Sequence, residues 1–207
     1  MIKIATSILS SKNRKECIES LNKTNTDYIH IDVMDNIFVP NYQLPIEEVN
    51  ELGKYSNKPF DVHLMIEDPE QFIKNITINN IKSITIHLEI NKNINDLIKL
   101  IKYYNYQVGI AIKPNTDIYE IDKYINIIDK VIIMSVEPGF GGQTFIDNSV
   151  DKIKYIRNKR KDIIIEVDGG INNETIKRIN NDTDIAVVGS YIINSNNYQK
   201  AINSLKN

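Results

Sequence analysis

The chain has 207 residues, of which 42% are apolar and 25% are charged, a composition typical of a folded globular protein. Lys and Arg number 25 against 27 Asp and Glu, so the net charge of −2 offers no basic excess for a nucleic-acid backbone or an anionic membrane. One cysteine excludes an internal disulfide, and no apolar run nears the roughly 18 residues that span a bilayer. With no leader-like segment after Met1, we expect a cytoplasmic protein without nucleic-acid or membrane partners.

Eight short β-branched or aromatic runs follow one another along the chain. Amphipathic stretches separate them, and the repeat of about 26 residues matches a strand, a helix and two short loops. No linker-like or low-complexity tract interrupts this pattern, which predicts one domain over residues 1–207. The predicted strands are 2–8, 28–33, 60–65, 83–87, 107–112, 130–136, 163–168 and 185–188.

Several intervening stretches have the chemistry of helices. Apolar residues recur at helical spacing at 94, 97, 98 and 101 and again at 150, 153 and 156. At residues 68–71, Asp68 is expected to cap a helix, Pro69 to open its first turn and Gln71 to reach back.

Alternating strands and helices predict a parallel sheet covered on both faces. Eight units in one domain fit a (β/α)8 barrel. An open doubly wound sheet would place a glycine-rich phosphate loop after the first strand, and residues 9–12 contain no glycine. The barrel is therefore the predicted fold.

Rare residue types concentrate where the predicted strands end. His30, His63 and His87 lie at or near the ends of the second, third and fourth strands. Six of the eight glycines follow the sixth, seventh and eighth strands. In a barrel these positions meet at the rim that carries the active site. The methionines at strand ends are Met34, Met65 and Met134.

Alternation along the strands brings potential metal ligands onto one face. His30 shares a face with Asp32 and Met34, His63 shares one with Asp61 and Met65, and Asp168 shares one with Glu166. Two imidazoles and two carboxylates at one rim would suit Zn²⁺ or Fe²⁺. The sequence therefore indicates a site for one divalent metal ion.

The same histidines, carboxylates and methionines could also have purely structural roles. A single histidine at a strand end is more often a hydrogen-bonded core residue than a ligand. Asp61 and Glu166 lie deeper in their strands and are expected to make structural hydrogen bonds. His87 has no carboxylate neighbour on its own face, and we expect it behind the site or in the core. Methionines at strand ends are often gap-filling core residues.

Glycines after the last strands suggest a phosphate site. Backbone N–H groups after the seventh and eighth barrel strands commonly bind phosphate, and glycine permits close approach and positive φ. Gly170, Gly189 and Ser190 fit this role. The loop 138–144 could add donors and close as a lid.

Six motifs in chain order resemble the ribulose-phosphate 3-epimerase family. They are Ser7–Ser10, His30–Asp35 with Phe38–Asn41, Val62–Met65, Met134–Gln143, Val167–Ile171 and Gly189–Ser190. The resemblance runs from the first strand to the last. It implies a barrel that interconverts D-ribulose 5-phosphate and D-xylulose 5-phosphate, a small phosphorylated ketose pair, with one divalent metal ion: Zn²⁺ or Fe²⁺, with Mn²⁺ or Co²⁺ also compatible.

The resemblance also assigns roles to positions. The implied metal ligands are His30, Asp32, His63 and Asp168, and Asp32 and Asp168 are the implied acid/base pair. The implied substrate contacts are Ser7, His63, Gly139, Phe140, Gly141, Gly142, Gly169, Gly170, Gly189 and Ser190. The methionines Met34, Met65 and Met134 would line an enediolate intermediate.

The chain departs from the family pattern at Thr6, Asn36 and Tyr191, none of which is an implied ligand. We expect Asn36 to adopt the left-handed conformation that glycine usually supplies there, and Tyr191 to border the phosphate site. An epimerase for a six-carbon ketose phosphate such as allulose 6-phosphate, or a barrel that binds a phosphorylated metabolite without catalysis, stays open. Homo-oligomerisation stays open as well.

Overall fold

The computed structural model, which describes residues 1–179 and 181–206, contains a closed barrel of parallel strands. The strand order predicted from the eight runs is confirmed, and the first and second strands pair to close the ring. The strands are β1 (Lys3–Ser7), β2 (Tyr28–Asp35), β3 (Tyr42–Gln43), β4 (Phe60–Met65), β5 (Ile81–His87), β6 (Gln107–Ile112), β7 (Lys130–Met134), β8 (Ile164–Asp168) and β9 (Ile185–Val188). All but β3 belong to the barrel, so the open-sheet alternative is excluded.

Strand β3 was not predicted from the sequence. It pairs antiparallel with the end of β2, matching Met34 with Gln43 and Asp35 with Tyr42. A two-residue strand carries too few residues for an alternation to be visible. Its effect is to fold the long loop after β2 back over the rim of the barrel.

Helices and 3₁₀ turns cover the outside of the barrel. The helices are α1 (Arg14–Leu21), α2 (Ile46–Leu52), α3 (Pro69–Asn75), α4 (Ile94–Tyr103), α5 (Ser149–Lys159), α6 (Ile176–Ile179), α7 (Ser190–Ile193) and α8 (Tyr198–Lys206), with 3₁₀ segments at Gly53–Tyr55 and Ile118–Lys123. All four apolar residues of the predicted α4 stripe are buried. On α5 the stripe positions 153 and 156 are buried and 150 is half-buried.

The predicted cap of α3 is only partly right. The helix begins at Pro69, as expected, but the side chain of Asp68 makes no capping hydrogen bond. Its carboxylate instead lies 3.0 Å from the ammonium of Lys92. A charged partner within reach competes with the backbone N–H groups for the same oxygens.

The core lies between the barrel and its covering helices. Ile29, Ile31 and Val33 on β2 are buried in it, and they alternate with His30 and Asp32, which face the barrel interior. The predicted alternation is therefore confirmed. It leaves a barrel interior that is polar near the carboxyl ends of the strands.

Within the described ranges, no helix combines the length and apolar character needed to cross a bilayer. The domain boundaries 1–207 stay a prediction, since Asn180 and Asn207 lie outside the described residues. The cytoplasmic location and the oligomeric state also stay predictions.

Candidate active site

A small cleft opens at the carboxyl ends of the barrel strands. It is lined by most of the residues that the sequence predicted, together with neighbours that it did not. The predicted ones are Ser7, Asp32, Met34, Met65, Met134, Gly139, Phe140, Gly142, Asp168, Gly169, Gly170, Gly189 and Ser190, and the added ones are Leu9, Val136, Glu137, Pro138, Gln143, Ile171 and Val187.

Three predicted site residues lie outside this lining. His30 and His63 are fully buried beneath the floor of the cleft. Gly141 is on the loop after β7, where a Cβ would approach Ser10 Oγ to 2.9 Å. Each histidine therefore approaches the cleft through one ring nitrogen, Nε2 of His30 and Nδ1 of His63.

Four predicted ligands converge at that floor. The Nε2 atom of His30 lies 3.4 Å from Asp32 Oδ1 and 3.8 Å from Asp168 Oδ2. The Nδ1 atom of His63 lies 3.6 Å and 3.4 Å from the same two oxygens. One donor atom from each residue falls within a 4.8 Å cluster. The sequence-based grouping is thus reproduced in space.

The donor set fits a divalent metal ion. Four ligands at about 2.0–2.2 Å from a tetrahedral ion would stand about 3.3–3.6 Å apart, close to the separations found here. His30 Nε2 and His63 Nδ1 are buried without a hydrogen-bond partner among the described residues. Buried ring nitrogens are rarely left unpaired, so an ion bound between the four residues would satisfy both.

The charges of this cluster also favour a cation. Burial alone would lower the pKa of His30, but the charge of Asp32 and the neighbouring carboxylates of Asp61 and Glu166 raise that pKa well above its usual value. Burial would raise the pKa of Asp32, yet His30 and His63 hold it far below its usual range. The floor of the cleft thus stabilises positive charge.

A buried lysine supports His30 from below, and sequence reasoning missed it. Lys130 on β7 donates to Asp61 and, at 2.6 Å, to Glu166. Asp61 in turn lies 2.9 Å from His30 Nδ1. The structural role predicted for both carboxylates agrees with these contacts. Lys130 shares strand parity with Met134, and this signal could have placed it inside the barrel.

His63 is supported by a second pair of residues. Its Nε2 atom lies 2.9 Å from His87 Nε2, and His87 Nδ1 lies 3.0 Å from Glu89 Oε2. The expectation that His87 has no carboxylate on its face is therefore wrong, because Glu89 continues that face two residues beyond the strand. Burial lowers the pKa of His87 to about 4.

Ser7 fixes one of the proposed acid/base groups. Its hydroxyl donates to Asp32 Oδ2 at 2.7 Å and accepts from the backbone N–H of Leu9 at 3.3 Å. The hydroxyl sits on β1, beside β2, so it orients Asp32 from the neighbouring strand. Asp32 then keeps Oδ1 toward the two histidines.

Four of the six glycines in the loops after the last three barrel strands have the positive φ that a phosphate-binding loop can use. Gly139, Gly142, Gly169 and Gly170 have positive φ. Gly189 does not, since its φ is −99°, and the expectation for that residue is wrong. A Cβ there would stand 3.5 Å from Ser7 Cβ, an ordinary contact that still extends toward the cleft.

The loop over the cleft is held by its own side chains. Gln143 donates to the carbonyl oxygens of Glu137 and Phe140, at 2.7 and 2.8 Å. Asn41, from the loop after β2, donates to the carbonyl of Gly139 at 2.7 Å. Phe140 at the tip is exposed. The two rim loops are therefore joined over the cleft, and lid motion stays a prediction.

Two departures from the family pattern have structural outcomes. Asn36 adopts φ 59°, the left-handed conformation expected of it. Tyr191 does not line the cleft, and its hydroxyl lies 3.0 Å from Ser204 Oγ on α8. The expectation that Tyr191 borders the phosphate site is therefore wrong, because its ring packs toward the covering helix.

Comparison with known proteins agrees with the geometry. Residues 3–193 match the model of the ribulose-phosphate 3 epimerase family. The chain is 36% identical to the ribulose-phosphate 3-epimerase of Bacillus subtilis, with 100% of this chain and 99% of that protein covered. It is 37% identical to the enzyme of the same name from Buchnera aphidicola, covering 98% and 93%.

A solved structure shows the same fold at low identity. A crystal structure of KGPDC from Streptococcus mutans superposes with a TM-score of 0.76 at 16% identity, covering 99% of this chain and 95% of that one. At that identity the match supports the barrel architecture alone.

Proposed function

Because this chain belongs to the ribulose-phosphate 3-epimerase family, whose members are isomerases, we propose that it interconverts D-ribulose 5-phosphate and D-xylulose 5-phosphate at C3. The observation that carries the proposal is the pair of carboxylates, Asp32 and Asp168, which face one cleft. Epimerisation beside a ketone needs a group that removes a proton from one face and a group that returns one to the other.

The position of the two carboxylates suits this task. Asp32 is on β2 and Asp168 is on β8, three steps apart around the ring of eight strands. A ketose lying between them would present opposite faces of C3 to the two side chains. One carboxylate takes the C3 proton and leaves an enediolate, and the other delivers its own proton to the far face. Exchange with solvent then restores both groups.

His30, Asp32, His63 and Asp168 would hold the metal ion. When bound, the ion would supply Lewis-acid stabilisation of the charge that develops on the substrate oxygens. The chain itself supplies the placement of those four side chains, since Asp61 fixes His30 and Ser7 fixes Asp32. Rigid strands hold each of these groups, which keeps their separations constant through the reaction.

The walls of the cleft have two further roles. Met34, Met65 and Met134 are buried side chains that line it and exclude water around the enediolate. At the other side, the backbone N–H groups near Gly170, Gly189 and Ser190 are the proposed contacts of the substrate phosphate. These groups follow β8 and β9, the seventh and eighth strands of the barrel, where phosphate sites of barrels are common.

Isotope exchange tests the proposal directly. The protein, assayed for bound metal, is incubated with ribulose 5-phosphate in D₂O, and deuterium at C3 of substrate and product is followed by NMR. We expect xylulose 5-phosphate carrying one solvent deuteron at C3. Product that forms with the original C3 proton retained would contradict the two-carboxylate mechanism.

A parallel assay with allulose 6-phosphate distinguishes the six-carbon alternative. Faster turnover of the hexulose phosphate would reassign the substrate. Absence of exchange with either sugar in metal-loaded protein would favour a binding protein without catalysis.

A further inference from the structure

A chain of three side chains runs from the proposed metal site to the loops after β5 and β6. It consists of His63, His87 and Glu89, joined by contacts of 2.9 Å and 3.0 Å. We infer that His87 and Glu89 are positioning residues, which hold His63 in the tautomer whose Nδ1 atom is free to bind the metal. This inference rests on the metal site proposed above.

The order of hydrogens along the chain follows from the chemistry of each group. The carboxylate of Glu89 only accepts, so His87 Nδ1 carries a hydrogen and donates it. The Nε2 atoms of His63 and His87 face each other, and one of the two must donate. When His63 uses Nδ1 as a ligand, its Nε2 carries the hydrogen and donates to His87. Every atom in the chain then has the correct partner.

The far end of the chain is anchored by fixed donors. Glu89 Oε1 accepts from the backbone N–H of Lys113 at 2.7 Å and from the hydroxyl of Thr116. The backbone N–H cannot change its direction. Glu89 Oε2 is therefore the oxygen that faces His87, and the orientation of the carboxylate is set by the loop after β6.

The chain is also shielded from water. His63 and His87 are fully buried, and the ring of Phe38 covers His87 with the ring centroids 4.7 Å apart. Within the described residues, their facing nitrogens have only each other as partners on that side. A change in the hydrogen bond between Glu89 and His87 must therefore change which nitrogen of His63 carries the hydrogen, because no water can replace the lost partner.

The substitution Glu89→Gln tests this reasoning because it nearly preserves shape. The amide oxygen must face the Lys113 N–H, so the amide NH₂ faces His87 Nδ1. That atom then has to accept, His87 Nε2 becomes the donor, and His63 Nε2 becomes the acceptor. The remaining hydrogen of His63 moves to Nδ1, where it blocks the metal. Glu89→Ala, in contrast, leaves His87 free to keep either tautomer.

The experiment measures Zn²⁺ affinity by competition with a chromophoric chelator. We expect Glu89→Gln to weaken Zn²⁺ binding by about 10–100-fold and Glu89→Ala to weaken it less, although Ala is the larger change of shape. The matched control is Glu67→Gln, since Glu67 Oε1 accepts from the backbone N–H of Asn91 at 2.9 Å, on a neighbouring rim loop.

A second measurement needs no variant. The ¹⁵N shifts of the imidazoles in the Zn²⁺-loaded wild type report the tautomers, and we expect hydrogen on His87 Nδ1 and none on His87 Nε2. The inference is overturned if the shifts show the reverse tautomer of His87. It is also overturned if Glu89→Ala weakens Zn²⁺ binding as much as Glu89→Gln does. Wild-type protein that binds no Zn²⁺ overturns the proposed metal site itself, and the inference with it.

Discussion

Replacing Lys130 by methionine would remove the ammonium group that faces Asp61 and Glu166 in the barrel interior. Methionine keeps most of the length of the stem, so the main loss is the ammonium and its hydrogen bonds to Asp61, Ser83 and Glu166. Both carboxylates are almost completely buried. Without the lysine, the charged partner left to them among the described residues would be His30.

The expected cost is large because a buried ion pair is broken from one side. Such a loss typically costs about 3–5 kcal/mol. For a chain of this size each kcal/mol lowers the Tm by about 2–4 °C, so we expect a decrease of about 6–20 °C. Lys82→Met is the matched control, since Lys82 is an exposed residue of β5, and its Tm should change little.

The loss should also depend on pH. Burial and the charge of Asp61 raise the pKa of Glu166, and Lys130 opposes that rise. Without Lys130 the folded variant holds a proton on Glu166 that the unfolded chain releases above its ordinary pKa. Stability therefore falls as pH rises from the unfolded pKa toward the folded one, by up to about 1.4 kcal/mol per unit.

Thermal unfolding of the metal-free proteins at pH 6 and pH 8 checks both parts. The deficit of Lys130→Met relative to wild type should be larger at pH 8. A variant that unfolds within about 2 °C of wild type at both pH values would show that the cluster is not an ion pair of the kind described.

Three predictions concern activity. Asp32→Asn and Asp168→Asn should each lower kcat by about 10²–10⁴-fold in a coupled xylulose 5-phosphate assay, and near-normal turnover of either would remove it from the acid/base pair. Chelation should abolish turnover and a divalent ion should restore it; full activity in protein shown to be metal-free would contradict the Lewis-acid role. Gly189→Val should raise KM for ribulose 5-phosphate without changing metal content, whereas equal losses for phosphorylated and unphosphorylated ketose would exclude a phosphate contact there.

The convergence of the four proposed metal ligands was predictable because strand geometry is simple. Side chains alternate with a period of two, so His30 and Asp32 had to share a face. The carboxyl ends of parallel strands meet at one rim, so His63 and Asp168 had to approach them in a barrel. Neither step required knowledge of the loops, and both were confirmed by the positions of the side chains.

Lys130 and Glu89 were harder to assign because each depends on neighbours in space. A lysine is buried only where its charge is paired, and its partners Asp61 and Glu166 come from two other strands. How close Asp61 and Glu166 come to Lys130 depends on how the strands are aligned in the barrel. The residue pattern of one strand carries no information about that alignment. Glu89 lies beyond the end of β5, where alternation is no longer a reliable guide.

The errors at Asp68 and Gly189 have a different origin. Each was assigned from the preference of a residue type: aspartate for a helix cap, and glycine for positive φ. In the structure the carboxylate of Asp68 lies 3.0 Å from the ammonium of Lys92, and Gly189 has a negative φ of −99°, with space for a Cβ at ordinary contact distance from Ser7. Preferences of this kind are settled by tertiary contacts that the local sequence does not specify.

The two carboxylates of the proposed acid/base pair are not equivalent, and this bears on how protons return to the site. The side chain of Asp32 is 5% exposed and is fixed by Ser7, whereas that of Asp168 is 16% exposed. Of the proposed pair, Asp168 thus has the more direct contact with the open cleft, whereas a proton that reaches Asp32 between turnovers would have to pass the floor of the cleft. Both groups carry deuterium in protein equilibrated in D₂O, so we expect solvent deuterium at C3 in either direction of the reaction. A difference between the directions would then have to come from the rate at which each carboxylate is reprotonated after a turnover.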